Sequence, residues 1–268
     1  MKRALTRLIF ADCLFVLFLS VSSMLGGYFE WPLYAAAFIV PTVMILFLPR
    51  EEDFKMSVFS KQSVSPLSLS LVFPIIFVLF CISFMTSLLM GILGMEGGTQ
   101  DLSGNLFYVI AVSAFAPAVF EEMLFRYLPA RILGAYSKKL TVVYSSILFA
   151  LAHGNVFQIP YALVAGAMFM AVDLACESIM PSLAIHFLNN ILSVVWQRQE
   201  KDSTFVIAFI TVILTLTLIS SVVIYIKRKQ FESAFWQFIE DKSKFEFTYQ
   251  LGFYIVVMLF VSMSVYVI

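Results

Sequence analysis

Apolar residues run along the chain in nine stretches, 8–26, 31–49, 69–94, 106–129, 140–153, 158–177, 181–197, 204–226 and 249–267, with short polar turns between them. A helix that crosses a bilayer needs roughly 20 mostly apolar residues. Eight stretches meet that length or come close to it, and 140–153 is short. The pattern predicts an all-α polytopic bundle of eight or nine membrane spans. No soluble domain intervenes and no internal repeat of fixed period is visible.

Basic residues orient the bundle, because segments on the cytosolic side carry an excess of Lys and Arg. With the N-terminus in the cytosol and nine spans, fourteen of the 17 basic residues fall on cytosolic segments. Arg198 and Lys201 fall outside, and Arg126 lies within the fourth stretch. The start of the chain resembles a secretory signal, but Asp12 interrupts its apolar run and no small-residue cleavage site follows, so it reads as a retained first span. After Lys229, Phe231, Phe235, Phe238 and Ile239 recur at helical spacing among charges. They predict an amphipathic cytosolic linker over 227–248, lying on the membrane face or packed on the bundle.

Composition agrees with a membrane protein. The 268 residues are 61% hydrophobic and 13% charged, against about a half and a quarter in soluble domains. Net charge is zero, which gives no indication of a nucleic-acid partner. The partners expected are the lipid bilayer and a peptide or membrane-protein substrate. Cys13, Cys81 and Cys176 lie in apolar runs without paired spacing and read as core thiols.

Ionisable side chains inside a bilayer cost at least about 2.5 kcal/mol each, so each implies a partner or a function. Here they are Asp12, Glu121, Glu122, Arg126, His153, Asp173 and His186, with Asn189 and Asn190 as neutral amides. The chain holds only 2 histidines, both in this set. Glu122 and Arg126 are four apart and share a helix face, whereas Glu121 points about 100° away. His186 and Asn190 are again four apart, with Pro181 suited to the first turn of their helix and Ser178 as its cap. Asp12, a turn and a half beyond Arg7, reads as a local structural charge. Asp173 and Glu177 match no motif and read as helix-end anchors.

Counting 1.5 Å per residue from the cytosolic ends, Glu121, His153, His186 and Asn190 lie between the cytosolic half and the middle of the bilayer. One cavity can hold all four. A desolvated carboxylate there can activate water as a general base, and two histidines and an amide can donate to an oxyanion. Glu121, His153 and His186 are also a conceivable zinc set, although no HExxH is present.

Three motifs in order, "EEMLFR" (EExxxR), "FALAH" (FxxxH) and "HFLNN" (HxxxN), resemble the CPBP family. These are the CAAX-protease and bacteriocin-processing intramembrane proteases, also called Abi or lysostaphin-resistance-protein-A-like. The resemblance covers about residues 105–195. It divides the chain into N-terminal transmembrane helices (1–104), a catalytic core (105–195) and C-terminal helices with the amphipathic linker (196–268).

The resemblance implies an all-helical bundle with its site in a membrane cavity. It makes Glu121 the base that activates water and Glu122 the residue that orients it or holds Arg126. His153 and His186 complete the site, and Asn190 joins His186 in stabilising the oxyanion. Zinc and metal-free mechanisms both remain open, and no other cofactor is implied. Tyr127 stands where small residues often follow the arginine, either narrowing the cavity or adding a donor.

Three functional classes follow: an intramembrane endopeptidase, a non-catalytic scaffold or bacteriocin-immunity protein, and a transporter with a proton relay. The intact motifs favour the first. No inverted repeat or matched pair of broken helices supports the third. The location expected is a bacterial plasma membrane.

Overall fold

The computed structural model describes residues 2–25, 30–47, 56–58, 66–94, 102, 104–155, 157–199 and 202–230. Its helices are α1 (Lys2–Leu25), α2 (Glu30–Phe47) and α3 (Pro66–Ile92). The long α4 spans Leu106–Leu133, followed by α5 (Lys138–Ala152), α6 (Ile159–Cys176), α7 (Met180–Arg198) and α8 (Ser203–Ile226). Each corresponds to one of the first eight apolar stretches, and the fold among the described residues is an all-α bundle. By length and composition, α4, α6, α8 and residues 68–92 of α3 can each cross a membrane, and α2 contains a shorter apolar helix. The ninth stretch, 249–267, and the linker expected over 227–248, beyond residue 230, lie outside the described residues.

Helix starts follow from side chains that accept otherwise orphaned backbone N–H groups. Asn105 accepts from Phe107 N at 2.8 Å, Ser137 from Leu140 N at 3.1 Å and Asp202 from Phe205 N at 2.6 Å. At the start of α7, Ser178 Oγ accepts from Met180 N at 3.2 Å, and Pro181 has no N–H to satisfy.

Helix α4 departs from regular α geometry in two places. Residues Ala111–Phe115 and Met123–Tyr127 are π-helical. A proline removes the N–H that would bond the carbonyl four residues earlier. Pro117 does this to Ser113, and Pro129 does it to Phe125. The chain answers with wider turns, in which Ala116 N donates to Ala111 O and Leu128 N to Met123 O. The Phe125 carbonyl finds its donor in Ser145 Oγ of α5, at 2.5 Å. Such single π turns are frequent at functional sites, and these two bracket the turn Ala116–Glu122 that carries both glutamates.

One apolar core joins the helices, with Phe15, Phe38, Leu79, Phe125, Phe149 and Phe169 among its buried members. Its rings form a continuous path. Phe38 meets Phe15 at 4.9 Å, Phe15 meets Phe125 at 5.4 Å and Phe125 meets Phe149 at 5.8 Å. Helices α3 and α8 keep large apolar side chains exposed, including Phe84 at 61% and Leu218 at 67%. That composition suits contact with lipid, where an apolar surface costs nothing to expose.

Two expectations about single residues need correction. Asp12 is no local charge: it is 4% exposed and accepts a hydrogen bond from Tyr144 Oη of α5, tying α1 to α5. A carboxylate this deep needs a donor, and the helix rotation offers Tyr144. Among the cysteines, all free, Cys81 is exposed, while Cys13 is half-buried and Cys176 buried. Cys81 lies on the outward face of α3, so its apolar neighbourhood in sequence did not mean a core position.

Candidate active site

Three helices bring the charged groups together. Arg126 and Glu122 of α4 are both fully buried, with Arg126 Nε 3.4 Å from Glu122 Oε2. The i, i+4 pairing anticipated for Glu122 rather than Glu121 is therefore present. It is an ion pair without hydrogen-bond alignment: the guanidinium nitrogens have no hydrogen-bond acceptor among the described residues. Aromatic faces meet the charge instead. The Arg126 guanidinium carbon lies 3.8 Å from the Phe149 ring centroid and 5.6 Å from that of Phe169. A desolvated cation over a ring gains on the order of 2 kcal/mol.

His186 of α7 stands between the two glutamates. Its Nδ1 is 2.8 Å from Glu122 Oε1 and its Nε2 is 3.8 Å from Glu121 Oε2. A carboxylate engaged with arginine only accepts, so Nδ1 carries the hydrogen and Nε2 is left facing Glu121. Glu121 keeps a partly exposed side chain, at 16%, where Glu122 has none. Two adjacent residues thus have separate environments, one locked and one open.

His153 caps the C-terminal end of α5. Its Nδ1 is 2.8 Å from the Phe149 carbonyl, which can only accept, so its Nε2 is also unencumbered. The Phe149 ring contacts both histidines edge-on, at 4.8 Å from His153 and 5.8 Å from His186. Phe149 therefore bridges the two histidines, and His186 in turn faces Glu121. Asn190, a turn beyond His186, is half-buried.

Two tyrosines absent from the sequence-based set border the same group. Tyr34 of α2 and Tyr161 of α6 both interact electrostatically with Glu121. Asn189 Nδ2 donates to Tyr161 Oη at 2.5 Å. Neither tyrosine belongs to a motif, and a phenol in an apolar helix carries no spacing signal. The Tyr127 hydroxyl accepts from Arg131 Nη1 at 2.9 Å, and its ring packs against the main core and against the core around Met56. That core is closed by residues 56–58, which pair with the turn after α6. Ser57 N donates to Glu177 O at 3.1 Å, and Ile179 N donates to Ser57 O at 3.2 Å.

Zinc would need three or four donors about 2.0–2.3 Å from one point. Among the described residues, no three His, Cys, Asp or Glu side chains are placed to hold a metal ion.

Asp173 and Glu177 lie at the end of α6. Asp173 accepts from the first turn of α7, through Ser182 N at 3.1 Å and Ser182 Oγ at 2.6 Å. Glu177 terminates α6 in the left-handed region, at φ +50°, a conformation held by the two hydrogen bonds its carbonyl receives from Ser57.

No curated protein and no solved structure matches the chain. A family model does, over residues 103–192, described as Rce1-like: type II CAAX prenyl endopeptidase Rce1-like. That segment runs from the start of α4 into α7 and includes all six motif residues, Glu121, Glu122, Arg126, His153, His186 and Asn190. The segment that holds the three motifs is therefore similar to the type II CAAX prenyl endopeptidase family.

Proposed function

We propose that this chain is an intramembrane endopeptidase of the CAAX-protease type, hydrolysing a peptide bond in a membrane-associated protein or peptide. The observation that carries the reading is His186 held between an arginine-paired Glu122 and a separate, more exposed Glu121. This is the geometry of an oriented imidazole beside a free base.

In the proposed reaction, Glu121 takes a proton from water as the water oxygen adds to the substrate carbonyl carbon. The 3.8 Å between Glu121 and His186 Nε2 is too long for a hydrogen bond, so both groups remain available to the reacting atoms. The oxyanion receives hydrogen bonds from Asn190 and from His153 or His186. Glu121 then returns the proton to the leaving nitrogen as the C–N bond breaks. A general base contributes about 10²–10⁴-fold, and one oxyanion donor about 10²–10³-fold. The N-terminus lies in the cytosol, the cavity opens to that side, and the cell is bacterial.

The test compares purified wild type with Glu121→Gln on a farnesylated CAAX-type peptide and on quenched apolar peptides, with and without chelator. The variant should lose about 10²-fold or more in activity and fold normally, since an amide is cheaper to bury than a carboxylate. The chelated wild type should stay active. A fully active Glu121→Gln overturns the role of Glu121, and an unchanged biological phenotype in that variant favours the scaffold or immunity reading. Activity lost to chelator and restored by zinc would make Glu121, His153 and His186 metal ligands.

A further inference from the structure

Asp173 belongs to none of the three motifs, yet it is completely buried, in the last turn of α6. A carboxylate inside a membrane helix implies a partner that makes it worth retaining. Both of its oxygens are engaged by one residue, Ser182 of α7: Oδ1 by the backbone N–H and Oδ2 by the hydroxyl. Ser182 lies four residues before His186, on the same helix face. Asp173 itself interacts electrostatically with Glu122 and Arg126.

We infer that Asp173 is a positioning residue of the site, acting through Ser182 to set how His186 meets Glu122. Two physical steps connect them. First, the paired hydrogen bonds fix the depth of α7 against α6. A slide of one residue is about 1.5 Å, enough to break the 2.8 Å contact between His186 Nδ1 and Glu122 Oε1. Second, Asp173 Oδ2 is the nearer acceptor of the Ser182 hydroxyl, at 2.6 Å against 3.0 Å for the Ile179 carbonyl, and Ser182 is close enough to Glu122 to interact with it. Glu122 Oε2 has no hydrogen-bond partner among the described residues, so His186 is the donor that Glu122 answers to. Without the Asp173 carboxylate, the Ser182 hydroxyl is released to turn toward Glu122 and compete with His186.

The inference deepens the endopeptidase reading, but its main test is independent of any substrate. The chain has 2 histidines, so ¹⁵N-histidine labelling in micelles gives two sets of ring-nitrogen signals, and His153→Gln assigns them. In Asp173→Asn and in Ser182→Ala, the Nδ1–H signal of His186 should move and that of His153 should stay. In the peptide assay kcat should fall, by up to about 10²-fold for a misplacement on the 1 Å scale, with KM little changed, as expected when alignment rather than binding is lost. A His186 signal unmoved in both folded variants overturns the inference. Should Asp173→Asn fail to fold, Ser182→Ala decides alone, because it keeps the backbone hydrogen bond to Asp173. Absence of peptidase activity in the wild type would count against the endopeptidase reading only, since the histidine signals are read without substrate.

Discussion

His186 Nδ1 lies 2.8 Å from Glu122 Oε1, joining α7 to α4 across 64 residues of chain. The same carboxylate faces Arg126 with its other oxygen. Glu122 is therefore the hub of the buried charge, holding an imidazole on one side and a guanidinium on the other. Glu121, its neighbour, stands apart from that pair with a more exposed side chain.

Removing Arg126 leaves the buried Glu122 charge without its cation. Arg126→Ala should destabilise the fold by about 3–5 kcal/mol, the usual cost of breaking a buried pair from one side. The void beneath Phe149 and Phe169 adds to that cost. Chemical denaturation in detergent measures it; a variant as stable as wild type would mean that solvent already satisfies Glu122.

The buried hydrogen bond from Tyr144 to Asp12 fastens α1 to α5, outside the catalytic group. A double-mutant cycle with Asp12→Asn and Tyr144→Phe should return a coupling energy of about 0.5–1.5 kcal/mol, the usual net contribution of a hydrogen bond. The single variants should keep whatever peptidase activity the folded wild type shows. Additive effects in the cycle would dissolve the proposed tie.

Gly166 brings α6 against α5 so closely that an added Cβ would stand 2.8 Å from Ser146 Cα. Backbone cannot move aside as a flexible side chain can. Gly166→Ala should cost about 1–3 kcal/mol from overpacking and should widen the α5–α6 contact. A thermal unfolding midpoint equal to that of the wild type would contradict the close approach.

Much of the architecture was legible in one dimension. Membrane spans announce themselves by length and apolarity alone, so the first eight stretches predicted all the long helices among the described residues. Pairing at i, i+4 is a property of a single helix, and the Glu122–Arg126 contact followed from counting. The motif residues were likewise visible, because polar groups are rare in apolar runs and stand out.

What the sequence left open were relations between helices. Contacts across the bundle depend on how far each helix is rotated about its own axis. A helix that is apolar nearly all round has no single hydrophobic face to set that rotation. Nothing in the spacing therefore tells that Glu122 receives His186, that Tyr144 serves Asp12, that Tyr34 and Tyr161 approach Glu121, or that Cys81 faces outward. The two π turns of α4 add to the difficulty, since one extra residue in a turn rotates everything beyond it by about 100°. Pro117 and Pro129 are plain in the sequence, but whether the chain answers each by kinking, breaking or widening its helix depends on what donor stands beside the freed carbonyl. For Phe125 that donor is Ser145, supplied by a neighbouring helix that only the packed bundle brings into place.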